Sequence, residues 1–130
     1  MNFTRAAALV YTVLSAGVIV FQIALALGAP WGEYAMAGAF PGQFPPEMRI
    51  GAVIQAILLA GFAIIVLTRA GMILTKWVRA SKWLIWIVVA FATLSFILNL
   101  ITPSAGERAI WAPIAFLLMI TCGIVAFSKS

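Results

Sequence analysis

Four stretches of the chain, residues 6–27, 50–68, 83–101 and 110–127, contain no charged side chain. A helix of about 20 apolar residues crosses the hydrocarbon core of a bilayer, and each stretch has that length. Inside lipid every backbone N–H and C=O must find a partner within the segment or around a closed barrel. Barrel strands alternate apolar and polar residues over about ten positions. Ile57 to Leu59 and Ile85 to Val89 are unbroken apolar runs, so the sequence predicts four spanning α-helices.

Composition closes the alternatives. Of 130 residues 65% are hydrophobic and 8% charged, and the mean hydropathy is +1.18. Soluble domains are nearer half apolar and a quarter charged, which excludes a soluble globular domain, a disordered chain and a disulfide scaffold. The expected fold is an all-α integral membrane protein, a single domain over residues 1–130 forming a four-transmembrane-helix bundle. The first apolar stretch follows Arg5 and could pass for a secretory signal. It exceeds an h-region of ~7–15 residues and ends at Ala26-Leu27-Gly28-Ala29-Pro30, a poor cleavage site, so it is expected to be retained.

Lys and Arg set the expected orientation. With the N-terminus inside, Arg5, Arg69, Lys76, Arg79, Lys82 and Lys129 fall on the cytoplasmic side, and Arg49 and Arg108 fall outside. Cytoplasmic loops carry the excess of basic residues, so both termini are expected in the cytoplasm, in a prokaryotic plasma membrane. All three acids, Glu33, Glu47 and Glu107, then lie outside. The net charge of +5 is read as basic loops facing anionic headgroups, not as nucleic-acid binding. Arg69, Lys76, Arg79 and Lys82 share one side of a short amphipathic segment, with Ile73, Leu74, Trp77 and Val78 opposite. This segment is expected either to lie at the inner interface or to continue the second span.

A 20-residue outer loop, residues 28–47, joins the first two spans. It holds four of the six prolines, four of the ten glycines and four aromatics. Long loops of this kind tend to be lids or binding loops, and we expect it to fold back over the outer mouth of the bundle.

Three acids could carry chemistry. Glu107 follows Ser104 by three residues, the spacing of a capping box. Glu47 follows Pro45-Pro46, where a negative charge suits a helix start. Glu33 sits among aromatics in Pro-Trp-Gly-Glu-Tyr, where a lone carboxylate is costly. We expect an arginine to hold it, Arg108 ahead of Arg49. Gln22, Gln55 and Asn99 lie within the outer halves of their spans. Such amides face the bundle interior and either bond across helices or line a polar pocket beneath the loop. Trp31 and Trp111 mark the outer interface. The candidate ligand-binding residues are therefore Gln22, Trp31, Glu33, Gln55, Asn99, Glu107, Arg108 and Trp111. Ala52, Ala56 and Ala60 form a small-residue ridge for helix packing.

Absences narrow the function further. With no His and a single Cys, Cys122, the usual haem and zinc ligation and dithiol redox chemistry fall away. No nucleotide loop or nucleophile elbow is present. No acid lies at mid-membrane, as a proton-exchanging small multidrug transporter would need, and the Asn- and Gly-rich motifs of fluoride channels are missing. No cofactor and no metal is expected. The leading reading is a small polytopic protein with a non-catalytic ligand, solute or permeation site in its extracytoplasmic half. One alternative is an accessory subunit of a larger membrane complex, and another an outer-face lipid-modifying enzyme using Glu33 and Glu107. The small core leaves room for a homo-oligomer or a partner membrane subunit.

Overall fold

A computed structural model describes residues 2–35 and 38–128. Four helices account for most of it: α1 Phe3–Ala26, α2 Pro46–Arg69, α3 Val78–Ile101 and α4 Ala105–Ala126. The structure is 81% helix, with no strand among the described residues. Each helix is long and apolar enough to span a membrane.

The helices overrun the charge-free stretches because their first turns are polar. The Asn2 side chain caps α1 by accepting from the Arg5 N–H at 2.8 Å. Pro45 and Pro46 open α2, where a missing N–H costs nothing. The Ser104 hydroxyl caps α4 by accepting from the Glu107 N–H at 3.1 Å. The reciprocal half of that capping box differs from expectation, since the Ser104 N–H donates to Thr102 Oγ1 at 3.3 Å. Within the helices Thr12, Thr68, Thr93 and Thr121 return their hydroxyls to the carbonyl four residues back. That bond satisfies a polar group where water is absent.

The segment after α2 is not a separate amphipathic helix. Arg69 ends α2, Gly71 turns the chain at φ +76°, and a 3-10 turn, Thr75–Trp77, leads into α3. Lys76, Arg79 and Lys82 are exposed there, whereas Arg69 is buried and donates to the Ser128 carbonyl at 2.7 Å. Arg69 thus ties the end of α2 to the chain after α4 and does not reach outward with the other three.

α1 packs on α2, α2 on α3, α3 on α4 and α4 on α1, with α2 and α4 in slight diagonal contact. Large apolar side chains cover the outside of all four helices, among them Val13, Val20, Ile54, Ile57, Ile87, Leu94 and Leu117. In water such a surface would be an aggregation liability; in a bilayer it is the face that meets lipid. The interior is divided. Away from the long loop the bundle closes tightly around Ala8, Tyr11, Val66, Ile85, Val88, Cys122 and Val125. Alanines at many of these contacts let the helices approach. At the loop end the direct packing is a smaller cluster, Leu25, Phe44 and Ala52, and a cavity occupies the space between the helices.

Candidate cavity beneath the long loop

The loop between α1 and α2 is built, not slack. A 3-10 turn, Gly32–Tyr34, starts it, and the Gly32 N–H donates to the Gly42 carbonyl at 2.8 Å, drawing the two arms together. Two bonds then fasten the turn to α4. The Ser104 hydroxyl donates to the Glu33 carbonyl at 2.9 Å, and the Trp111 indole N–H donates to the Tyr34 carbonyl at 2.7 Å. Gly106 leaves room for the Tyr34 ring: a Cβ there would stand 2.6 Å from Tyr34 Cε1. Phe44, at the other arm, is buried against Leu25 and Ala52.

Under this roof lies a cavity of about 790 Å³, within the 300–1,000 Å³ range of small-molecule sites. Gln22 from α1, Gln55 from α2, Asn99 from α3, and Glu107 and Trp111 from α4 all line it. All four helices thus contribute polar groups to one space. Ser95 joins them, one turn before Asn99 on the same face. The rest of the wall is apolar and aromatic, including Tyr11, Phe21, Tyr34, Phe44, Phe91 and Leu118. Phe21 meets Trp111 edge-on at 4.7 Å between ring centroids, which braces α1 against α4.

The amides do not bond to one another. Asn99 donates to its own helix, to the Ser95 carbonyl at 2.7 Å. Gln22 and Gln55 are half-buried and make no hydrogen bond to a described residue. Their donors and acceptors therefore remain to be met inside the cavity, and helix-to-helix bonding does not use them. Glu107 is buried, at 7% exposure, with its carboxyl-bearing side chain on the cavity wall.

Three candidate residues stand apart from the cavity. Trp31 is exposed and stacks on Phe21, at 6.2 Å between ring centroids and nearly parallel. Glu33 is exposed, and no ion pair joins it to Arg108 or Arg49 among the described residues. Arg108 donates to the Thr102 carbonyl at 3.1 Å and Arg49 to the Phe44 carbonyl at 2.8 Å. The expected Glu33–Arg108 latch is thus corrected: the loop is pinned at the same position, but through the main-chain oxygens of Glu33 and Tyr34. Both arginines are occupied by carbonyls left over at helix and loop ends. Accordingly, Glu33→Gln is expected to leave hydrogen exchange across residues 32–35 unchanged. Faster exchange in that variant would restore a role for the carboxylate.

Sequence reasoning passed over Phe21 and Phe91, because an aromatic inside an apolar span carries no mark of which way it faces, and Thr102, which follows the third span. The glycine at position 106, in the first turn of α4, is where the Tyr34 ring packs. Among known protein families, characterised proteins and solved structures, no match to the chain is found.

Proposed function

We propose that the protein is a membrane-embedded binding protein whose ligand occupies the cavity beneath the long loop, without catalysis. One observation carries this reading: the polar groups of four helices converge on a single roofed space whose remaining wall is apolar. A pocket of this type, mostly hydrophobic with a few placed polar groups, is the usual form of a small-molecule site. An outer-face enzyme would need Glu33 and Glu107 around one cavity, and Glu33 does not line it.

The excess of basic residues at the end opposite the loop supports reading that end, and both termini, as cytoplasmic. The cavity then opens in the extracytoplasmic half, and Lys76, Arg79 and Lys82 face anionic headgroups of the inner leaflet. A reporter active only in the cytoplasm, fused after Ser130, should be active; an inserted but silent fusion would reverse the orientation.

Native mass spectrometry of protein released gently from its own membranes tests the binding reading. The wild type should carry a bound small molecule at one per chain. Ala115→Phe should lose it, since Ala115 is buried on the cavity wall and a larger side chain fills the space. If the wild type instead arrives empty and in fixed ratio with another membrane protein, the protein is an accessory subunit.

A further inference from the structure

The walls of the cavity are not equally closed. On α1, on α4 and in the loop every lining residue is buried or half-buried. The exposed lining residues are Gly51 on α2, Leu98 and Ile101 on α3, and Pro103 just beyond. Leu98 and Ile101 are 53% and 69% exposed. The opening therefore lies between the N-terminal half of α2 and the C-terminal half of α3. Those two helices are joined lower down by the edge-on pair Phe62 and Phe91, at 4.9 Å, and α2 packs more extensively on α1 than on α3. Overhead, the hydrogen bonds to the Glu33 and Tyr34 carbonyls hold the loop down. Gly51, Leu98 and Ile101 lie in the charge-free parts of α2 and α3, so this stretch of the rim faces acyl chains, with Pro103 at its outer edge beyond α3.

The chemistry inside limits what can pass. No Lys or Arg lines the cavity, and Glu107 does. A phosphate or carboxylate entering would be desolvated with no counter-cation and beside a like-charged group. Gln22, Gln55 and Asn99 each offer both donors and acceptors, and the negative charge of Glu107 is already matched by the start of α4. A neutral head that both gives and takes hydrogen bonds fits that set. Aromatic and aliphatic walls below it suit a hydrocarbon body.

We infer that the cavity is entered sideways from the bilayer, between α2 and α3, by an uncharged lipid-soluble amphiphile of the alcohol type. Gln22, Gln55 and Asn99 hold its hydroxyl head, and the apolar wall holds its chain. This inference rests on the binding reading above and adds the route and the class of ligand.

Three photoreactive probes on one hydrocarbon chain test it: a long-chain alcohol, the matching carboxylic acid and the matching phosphate monoester, each carrying a diazirine. They are presented at equal mole fraction to the full chain in phosphatidylcholine nanodiscs, and labelled residues are mapped by mass spectrometry. The alcohol should label cavity residues saturably, and about tenfold more than either anionic probe, the ratio expected of one unmet polar or charged contact. Gly51→Trp should block that labelling: a Cβ at Gly51 meets nothing within 4 Å, so the side chain leaves the backbone without a clash at the rim. Leu98→Trp is a second plug at a site already exposed. Gln55→Leu with Asn99→Leu should erase the preference for alcohol over acid. Equal labelling by the acid overturns the ligand class, and undiminished labelling in both plugged variants overturns the lateral route. If no probe enters but the wild type still releases a bound molecule, this inference fails and the binding reading stands. If no probe enters and no molecule is released, both fail.

Discussion

Gly32→Ala is expected to unseat the roof of the cavity. An alanine Cβ at this position would overlap the carbonyl oxygen of Phe40 and lie 2.7 Å from that of Gly42. Both obstacles are backbone, so no side chain can swing aside, and the arms of the loop must separate. Separation also breaks the Gly32-to-Gly42 hydrogen bond of 2.8 Å. Forcing an atom into a filled space costs about 1–3 kcal/mol, and the lost bond about 1 more. Most of that cost falls on the loop, because the helices below it are packed independently around Tyr11, Val66 and Val125. Hydrogen exchange should accelerate across residues 32–44 with helix amides unchanged, and any bound molecule should be released faster. Gly106→Ala makes the contrast: its obstacle is the rim of the Tyr34 ring, which can shift, so its effect should be smaller. A Gly32→Ala loop as protected as the wild type would mean that the arms are not held together at this point.

The four helices were legible because lipid enforces a single rule, and a run without charge long enough to cross is its direct signature. The ends of the helices were less so. The first turns of α2 and α3 carry Glu47, Arg49, Arg79 and Lys82 and have no side-chain cap, so hydropathy does not mark where these helices begin. The turning of Gln22, Gln55 and Asn99 toward one space was legible because each falls in the outer half of a charge-free span, where a polar group avoids lipid. What held the loop was not legible. An ion pair is visible in a sequence as two opposite charges, whereas a carbonyl oxygen is carried by every residue. The tether from Ser104 and Trp111 to the main chain at Glu33 and Tyr34 therefore left no mark in residue type. The opening between α2 and α3 was equally hidden, because the leucine and isoleucine at its rim are the same residues that cover a sealed helix.

Removing both tethers is expected to free the loop more than either removal alone, but by less than their sum. Trp111→Phe keeps an aromatic ring against Phe21 and deletes the N–H that reaches the Tyr34 carbonyl. Losing that bond costs about 1–2 kcal/mol, because a carbonyl is left without it. Ser104 does two things at once, accepting from the Glu107 N–H and donating to the Glu33 carbonyl. Ser104→Ala removes both, for about 1–2 kcal/mol in the cap alone, while Ser104→Gly keeps most of the cap, with a loss of only about a few tenths. The excess of alanine over glycine therefore reports the cap, and the glycine variant reports the tether. The two anchored carbonyls belong to adjacent residues of one rigid turn. Once either bond is gone the turn can lift, and the second bond has less to hold. A cycle of Ser104→Gly, Trp111→Phe and the double variant, followed by hydrogen exchange at residues 32–35, should show a coupling of about 0.5–1.5 kcal/mol. The same double variant should leave α3 and α4 amides near Val88 and Val125 protected, since that end is packed without the loop. Strict additivity in the cycle would mean that each bond holds its carbonyl whether or not the other is present. A turn that shifts as one body gives the coupling, because the displacement that follows loss of either bond weakens the other.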